Sequence, residues 1–311
     1  MTDAAKGRGG DGAIAPSPRL RVGLFARHPS RVTGTWLLAP ALAWMGAFFF
    51  FPVLLVLAIS FASRGTYGGV EWTFSLANYA ETAHPLYLKI FARSLALAAA
   101  TTVLCLVLGF PLAYYIARLP PRRQQVWLLL VMIPFWTNFL VRTYAWMFLL
   151  RTEGLLNTVL LSLGLVSSPL EILYTDAAVL IGLVYGYLPF MVLPLYAAVE
   201  RLSPSMVEAA WDLYATAWAV FWRVILPLTR PGVVAGCILV FIPSLGSFLT
   251  PDLLGGARNM MVGNLIQHEY LVVRDWPLGS AISLVLMGLV LLGVLAYFRM
   301  DGGRTSLEAQ R

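Results

Sequence analysis

Six long apolar segments constrain this chain more than any other feature. Five contain no Asp, Glu, Lys or Arg, and the third contains one such residue, Arg142. A helix needs roughly 20 apolar residues to cross the hydrocarbon core of a bilayer. The segments therefore predict an all-α integral membrane protein with six transmembrane helices. They are Trp36–Phe61, Ser94–Ala117, Val126–Leu150, Ala177–Val199, Pro231–Thr250 and Leu278–Phe298.

Composition supports lipid as the solvent of this chain. Hydrophobic residues make up 59% of it and charged residues only 12%, whereas soluble domains average roughly 45–50% apolar and about 25% charged residues. So few charges cannot cover a water-exposed surface. The two cysteines, Cys105 and Cys237, lie inside apolar segments and are predicted to be packing residues rather than disulfide partners or metal ligands.

The Lys and Arg residues predict the orientation. If the N-terminus is cytoplasmic, 15 of the 22 lie on the cytoplasmic side and 6 on the other, which is the bias that membrane insertion favours. We therefore expect both termini in the cytoplasm. The domain prediction is a polar cytoplasmic tail over residues 1–35, a transmembrane domain over 36–298 and a cytoplasmic tail over 299–311.

Catalytic and nucleotide-binding patterns are missing from the sequence. His28, His84 and His268 are scattered, and none has the spacing of a metal ligand relative to Cys or acidic residues. Neither a nucleophile elbow nor a phosphate-binding loop is present. No basic patch interleaved with aromatic residues predicts nucleic-acid binding. We expect a chain that is not an enzyme and binds no cofactor or metal, so that any ATP-driven step needs a partner.

The connection between the fourth and fifth segments, residues 200–230, is predicted to form a short amphipathic helix. Ser203 and Pro204 are typical of a helix start, and Ser205 with Glu208 offers an alternative capping box. Glu208 and Asp212 are spaced to share one face, and Met206, Ala210, Leu213 and Ala217 to share another. Such a helix suits a groove on another protein. A position on the lipid surface is less favourable, because an anionic leaflet repels the acids.

The same connection resembles a known family. Glu208-Ala209-Ala210, followed by Val224-Ile225-Leu226-Pro227, is similar to the EAA loop of permease subunits from binding-protein-dependent ABC importers. The resemblance implies a type I ABC importer permease fold, with a coupling helix that docks into a cleft of the cytoplasmic ATPase. The implied coupling residues are Glu208, Ala209, Ala210, Asp212, Leu213 and Tyr214. The family usually has Gly where this chain has Tyr214, which leaves the shape of the turn open.

Within this family, the chain resembles most closely the permeases of spermidine/putrescine type. The similar stretches are Ile133–Trp146, Leu183–Leu202, Leu253–Ile266 and Arg274–Ala281. The resemblance implies a multi-pass protein of the bacterial inner membrane that moves a polyamine by alternating access. The implied partners are a second, homologous permease subunit, a dimer of cytoplasmic ATPases that binds ATP and magnesium, and an extracytoplasmic solute-binding protein.

Two other functions stay open at this point. An ABC importer permease for another small solute would carry much of the same sequence. An ion-coupled secondary transporter is a weaker alternative, because it requires acidic residues inside the spans and none lies there.

Polar and aromatic side chains in or beside the spans are candidates for the solute path, since polar groups in a membrane are costly. Phe135, Asn138 and Arg142 are spaced to share one helical face. Arg142 would repel a cationic solute, and reaching the outer interface or pairing with an acidic loop residue is the favoured role for it. Aromatic faces attract organic cations, and a carboxylate at the outer mouth could do the same. The candidates are Trp136, Asn138, Arg142, Tyr185, Tyr187 and Asp252.

Overall fold

The computed structural model describes residues 31–256 and 259–308, so that residues 1–30 of the predicted N-terminal tail and the last three residues lie outside it. The described part is almost entirely helical. Its helices are α1 (Arg31–Ser60), α2 (Ala77–Thr82), α3 (Pro85–Ala117), α4 (Pro121–Trp136), α5 (Phe139–Leu150), α6 (Leu155–Ser162), α7 (Asp176–Glu200), α8 (Pro204–Asp212), α9 (Ala217–Val220), α10 (Leu226–Leu245), α11 (Val262–His268) and α12 (Trp276–Glu308).

Three π-helical segments and one small sheet complete the described part. The π-helical segments are Phe221–Ile225, Pro251–Gly255 and Glu269–Val273. Strands β1 (Ser63–Arg64) and β2 (Val70–Glu71) pair antiparallel, with Ser63 opposite Glu71.

The all-α membrane fold is confirmed. Among the described residues, five helical stretches are long and apolar enough to cross a membrane, and a bent pair of helical stretches, Pro121–Trp136 and Phe139–Ser162, makes a sixth if the pair is one span. The five are Leu38–Ser60, Pro85–Ala117, Asp176–Glu200, Ala217–Leu245 and Trp276–Leu295.

Hydropathy predicted that the third apolar segment forms one continuous helix. This prediction is wrong, because the structure divides the segment into two helices. Helices α4 and α5 meet at a bend of 90°. The break lies at Thr137, whose backbone is extended with ψ of 145° and whose hydroxyl donates to the Pro134 carbonyl at 2.8 Å. Asn138 then caps α5, its side-chain oxygen accepting a hydrogen bond from the Leu140 N–H at 2.8 Å.

The fifth span begins at Ala217, well before the predicted start at Pro231. Helix α9, the π-helical segment Phe221–Ile225 and α10 follow one another without a break. Pro227 does not stop the helix; it lies inside this continuous stretch, directly after the π-helical segment Phe221–Ile225, and local changes to π-helical geometry are one way in which helices accommodate a proline. Helices α1 and α12 also extend past the apolar segments that they contain, to Arg31 and to Glu308.

The chain divides into two compact units, Met1–Val53 and Leu54–Arg311. The described part of the first unit is the beginning of α1, whose side chains from Leu38 onward are mostly exposed. The core of the second unit lies among α3, α7 and α10. Cys105, Met191, Val192, Leu195 and Val240 are fully enclosed there.

The two cysteines confirm their predicted packing role. Both are free thiols, Cys105 being buried and Cys237 half-buried, and both pack in the core of the second unit. Helices α7 and α10 approach closely at Gly232, where a Cβ atom would lie 2.6 Å from the Pro194 carbonyl oxygen. A glycine is therefore required at this crossing.

Candidate functional site: the coupling segment and the Arg142 cavity

Helix α8 begins where the sequence predicted, with Ser203 at the N-cap and Pro204 at the first helical position. The Ser203 hydroxyl is hydrogen-bonded to the Ser205 hydroxyl at 2.7 Å and makes no bond to a backbone N–H group. The alternative start, with Ser205 as the cap, is not the one observed. We call Ser203–Ala215 the coupling segment.

Helix α8 ends in a Schellman motif. The Ala215 N–H donates to the Ala210 carbonyl at 3.2 Å, and the Tyr214 N–H donates to the Trp211 carbonyl at 2.9 Å. Such an ending places the residue after the C-cap in the left-handed region, where glycine is favoured. That residue is Tyr214, with φ of 56°. A glycine, as expected here from the resemblance to the EAA loop, would adopt this turn without strain, whereas Tyr214 adopts it at a steric cost.

Most of the predicted coupling residues face outward from the chain. Glu208, Ala209, Asp212, Leu213 and Tyr214 are exposed, and the ring of Tyr214 is 97% exposed.

The buried side of α8 is narrow. Ala210 is half-buried and packs against the core together with Val207. The predicted apolar face of Met206, Ala210, Leu213 and Ala217 is not formed, because α8 ends at Asp212 and Ala217 begins a separate helix. The segment is thus anchored by small apolar residues and presents its acids outward.

A cavity of about 500 Å³ lies among α4, α5, α7 and the end of α10. One charged side chain, Arg142, lines it, and no acidic side chain of the described residues does so. The lining residues are Phe135, Phe139, Arg142, Gly186, Tyr187, Phe190, Pro243, Gly246, Ser247, Phe248 and Leu249. We call this the Arg142 cavity.

The guanidinium of Arg142 is surrounded by aromatic rings. Its central carbon lies 5.3 Å from the ring centre of Phe139 and 5.9 Å from those of Phe135 and Tyr185. A cation within about 6 Å of a ring face is attracted by the ring quadrupole. Arg142 Nε and Nη1 are buried and have no hydrogen-bond partner among the described residues. We call Phe135, Phe139 and Tyr185 the aromatic cage.

Neighbouring rings hold the cage in place. Phe190 meets Phe135 edge-on, with ring centres 4.7 Å apart, and Trp146 meets Tyr185 at 5.4 Å. Tyr187, the other predicted tyrosine, lines the Arg142 cavity instead, and its hydroxyl donates to the Pro243 carbonyl at 3.1 Å. The two tyrosines of α7 therefore have different positions, as their spacing of two residues on a helix requires.

Besides Tyr185, three further predicted path residues do not line the Arg142 cavity. The ring of Trp136 is 73% exposed at the end of α4. Asn138 caps α5, so that the predicted shared face with Phe135 and Arg142 is wrong because the helix breaks between them. Asp252 is exposed in the π-helical segment Pro251–Gly255.

The interpretation of Arg142 as the partner of an acidic loop residue is wrong for the described residues. Arg142 belongs to neither of two ion pairs found there, Arg64 with Asp275 and Arg93 with Asp176. The described residues also contain no group of three His, Cys, Asp or Glu side chains that could hold a metal ion.

Sequence reasoning missed Phe139 and Ser247 as residues of the site. Phe139 lies three residues before Arg142 on α5, a spacing that brings side chains together on one helix, and this signal was available once the helix start at Phe139 was known. Ser247 lies beyond the end of α10 and reaches the cavity through tertiary packing, which no local pattern predicts.

Comparison with known proteins shows the family. Residues 109–302 match the model of the family "Binding-protein-dependent transport system inner membrane component". The chain is 44% identical over 259 residues to the spermidine/putrescine transport system permease protein PotB of Haemophilus influenzae, covering 83% of this chain and 91% of the relative. It is 44% identical over 268 residues to PotB of Escherichia coli, covering 85% and 98%.

Solved structures show the same fold. A bacterial ABC transporter involved in the import of the acidic polysaccharide alginate matches 88% of this chain and 98% of its own, with a TM-score of 0.69 and 16% identity. The alginate transporter in complex with its alginate pentasaccharide-bound periplasmic protein matches 88% and 97%, with a TM-score of 0.72 and 15% identity.

The family match and the apolar helices together show a multi-pass inner-membrane protein that is a transport component rather than an enzyme. The chain belongs to the family of inner membrane components of binding-protein-dependent transport systems.

Proposed function

We propose that the chain is a permease subunit of an ATP-driven importer of a polyamine such as spermidine or putrescine. The observation that carries the substrate class is the identity of 44% to the PotB permeases over most of both chains. The Arg142 cavity adds a physical argument, because its aromatic faces attract organic cations.

Uptake of labelled putrescine and spermidine by cells that carry the whole transport operon tests the substrate. We expect saturable uptake of at least one polyamine that stops when this chain is deleted. Asp252→Asn and Tyr185→Ala report on the predicted path residues. Uptake of an anionic or neutral solute without either polyamine would overturn the substrate and leave the permease function standing.

The coupling segment is the proposed contact with the ATPase. Its support is the exposure of Glu208, Asp212 and Tyr214 around a short helix anchored by Val207 and Ala210. An exposed helix of this kind suits a groove on a partner. The partner ATPase dimer would bind ATP and magnesium, because this chain has no phosphate-binding loop.

Glu208→Ala tests the coupling role. We expect normal amounts of this chain in the membrane, with less ATPase retained on purification and slower uptake. Glu153→Ala, which changes an exposed acid elsewhere in the chain, is the matched control. Wild-type uptake at full ATPase occupancy in Glu208→Ala would contradict the role.

The other proposed partners are a second, homologous permease subunit and an extracytoplasmic solute-binding protein. The family description names binding-protein-dependent systems, and one structural relative was solved with its periplasmic protein. Purification of the complex through a tag on this chain should recover the second permease and the ATPase. Its ATPase activity should rise when the liganded binding protein is added.

Both termini and the coupling segment are proposed to lie in the cytoplasm, on the strength of the basic-residue bias. Two fully accessible tyrosines on predicted opposite sides offer a matched test, Tyr67 at 100% exposure and Tyr214 at 97%. A membrane-impermeant thiol reagent added to intact spheroplasts should label Tyr67→Cys and miss Tyr214→Cys. The opposite pattern would reverse the orientation.

A further inference from the structure

The aromatic cage is filled by a cation of the chain itself. Three ring centres lie within 6 Å of the Arg142 central carbon, an arrangement that proteins use to bind organic ammonium ions. An exposed cation–π pair elsewhere in the chain, Arg151 over Phe148 at 5.5 Å, involves one ring. The three-ring enclosure beside a cavity is thus a different kind of site.

Arg142 and a solute ammonium cannot occupy this place together. A guanidinium does not lose its proton in proteins, and no acidic side chain of the described residues lines the Arg142 cavity to balance a second positive charge. Like charges in a poorly solvated space repel strongly. Occupation by the chain and occupation by the solute therefore exclude each other.

The contacts that hold Arg142 are of a kind that can be exchanged. Nε and Nη1 make no hydrogen bond among the described residues, so that leaving the cage breaks no directional bond at these atoms. The adjoining cavity of about 500 Å³ gives the long side chain room to move. What the guanidinium gives up on leaving is the attraction of the rings, which a solute ammonium can regain.

We propose that the aromatic cage of Phe135, Phe139 and Tyr185 is an ammonium-binding site for the transported solute, and that the Arg142 guanidinium is a built-in competitor for it. This inference rests on the proposed polyamine function. The solute enters the cage when Arg142 leaves, and the returning guanidinium displaces the solute. The competitor keeps retention weak, which suits a site that must release its load.

Direct binding tests the competitor. The purified complex of this chain with its permease partner and ATPases, in lipid nanodiscs and without binding protein, is dialysed against labelled spermidine. Arg142→Gln empties the cage, and we expect spermidine to bind about tenfold more tightly, as expected for cation–π energies. Arg142→Lys keeps a cation and should stay near the wild-type affinity. Arg151→Gln, the matched control, should leave binding unchanged.

A second pair of variants separates the cage from the mere loss of a positive charge. The double variants Arg142→Gln with Phe139→Leu and Arg142→Gln with Tyr185→Leu keep the charge change and remove a ring. We expect each to lose most of the tenfold gain. All variants are compared at equal assembly, measured as ATPase recovered per permease.

Two results would overturn the inference: unchanged or weaker spermidine binding in Arg142→Gln, or a gain that survives removal of the rings. Uptake of spermidine and of putrescine by wild-type cells is measured in parallel. Absent uptake of both refutes the proposed function, whereas normal spermidine uptake with no gain in Arg142→Gln refutes the competitor alone.

Discussion

The coupling segment and the Arg142 cavity each contain one residue that local rules disfavour, but the two residues differ in their surroundings. Tyr214 adopts the left-handed conformation that suits glycine, and its ring is almost fully exposed. Arg142 brings a permanent charge into an apolar span, and three rings of the same chain enclose it. Contacts of the exposed Tyr214 ring do not offset the conformational cost of that residue, whereas the three rings offset the cost of burying the Arg142 charge within the chain.

This difference indicates whether each residue acts at an interface with another subunit or at a site within this chain. An exposed, conformationally costly residue on a short helix is consistent with a surface completed by another subunit. An enclosed charge beside a cavity is consistent with a site that works within this chain. Residues that break local rules are expected at functional positions, and their burial distinguishes an interface from a solute site.

Reversing the enclosed charge should have the largest effect. Arg142→Glu places a carboxylate against three ring faces, which repel anions, and leaves a buried charge uncompensated at a cost of roughly 3–5 kcal/mol. We expect a strong loss of folded protein and no uptake, measured by membrane level and by melting of the purified complex.

The control for this variant is Arg151→Glu, which makes the same charge change at an exposed position and should be near neutral. Similar damage from both variants would show that enclosure by the cage does not distinguish Arg142.

The second prediction concerns helix α10, which connects the coupling segment with the Arg142 cavity. Helix α10 follows the coupling segment and reaches the Arg142 cavity at Pro243, and Gly232 sets its closest approach to α7. In Gly232→Ala the new methyl group would meet the Pro194 carbonyl oxygen and Ala198. Overpacking of this kind costs about 1–3 kcal/mol. We expect lower thermal stability and slower uptake together.

Gly288→Ala is the matched control on α12, where nothing lies within 4 Å of the new methyl group. It should be neutral or stabilising by about 0.5–1 kcal/mol, because alanine favours a helix more than glycine does. A Gly232→Ala variant as stable as Gly288→Ala would show that α7 and α10 can separate freely.

The sequence predicted those parts that depend on local pattern. The apolar segments located five spans, and Ser203-Pro204 located the start of α8. The bend between α4 and α5 was missed because hydropathy is continuous across it, although Pro134 and Asn138 carry the local signal. The start of the fifth span was missed because the uncharged apolar segment begins only at Pro231, after Arg223 and Arg230, whereas the helix begins at Ala217.

The proposed solute site depends on tertiary packing to a greater extent than the fold does. Arg142 was identified as a candidate because polar groups in spans are costly, and Tyr185 and Tyr187 because aromatic faces attract organic cations. Their arrangement was not predictable, since the cage forms across a helix bend and between two helices. Asp252 had the right chemistry for a cation but is exposed in a separate segment.

A smaller effect is expected where the cost is conformational. Tyr214→Gly removes the left-handed strain of a side chain, worth about 1 kcal/mol, and should raise the melting temperature of the purified subunit slightly. The Tyr214→Gly variant should still assemble with the ATPase. Tyr214→Val, whose branched side chain tolerates positive φ least, should destabilise the turn. Complete loss of assembly in Tyr214→Gly would show that the exposed ring is itself needed by the partner.

The smallest effect should come from Glu269, a buried charge that can be neutralised, unlike that of Arg142. Burial raises the pKa of Glu269, with Asp275 adding to the rise and His268 and Arg64 opposing it. The stability that the protonated carboxyl contributes is full below pH about 4.5, its ordinary pKa, and is lost as pH rises through the raised pKa. Glu269→Gln should therefore melt higher than wild type at neutral pH, with the difference disappearing toward pH 4.5.

Glu81→Gln, at an exposed position, controls for the loss of one negative charge. A Glu269→Gln variant that melts lower than wild type at neutral pH would contradict this prediction. It would mean that the ionised carboxylate makes a stabilising contact, so that burial of this charge does not destabilise the fold.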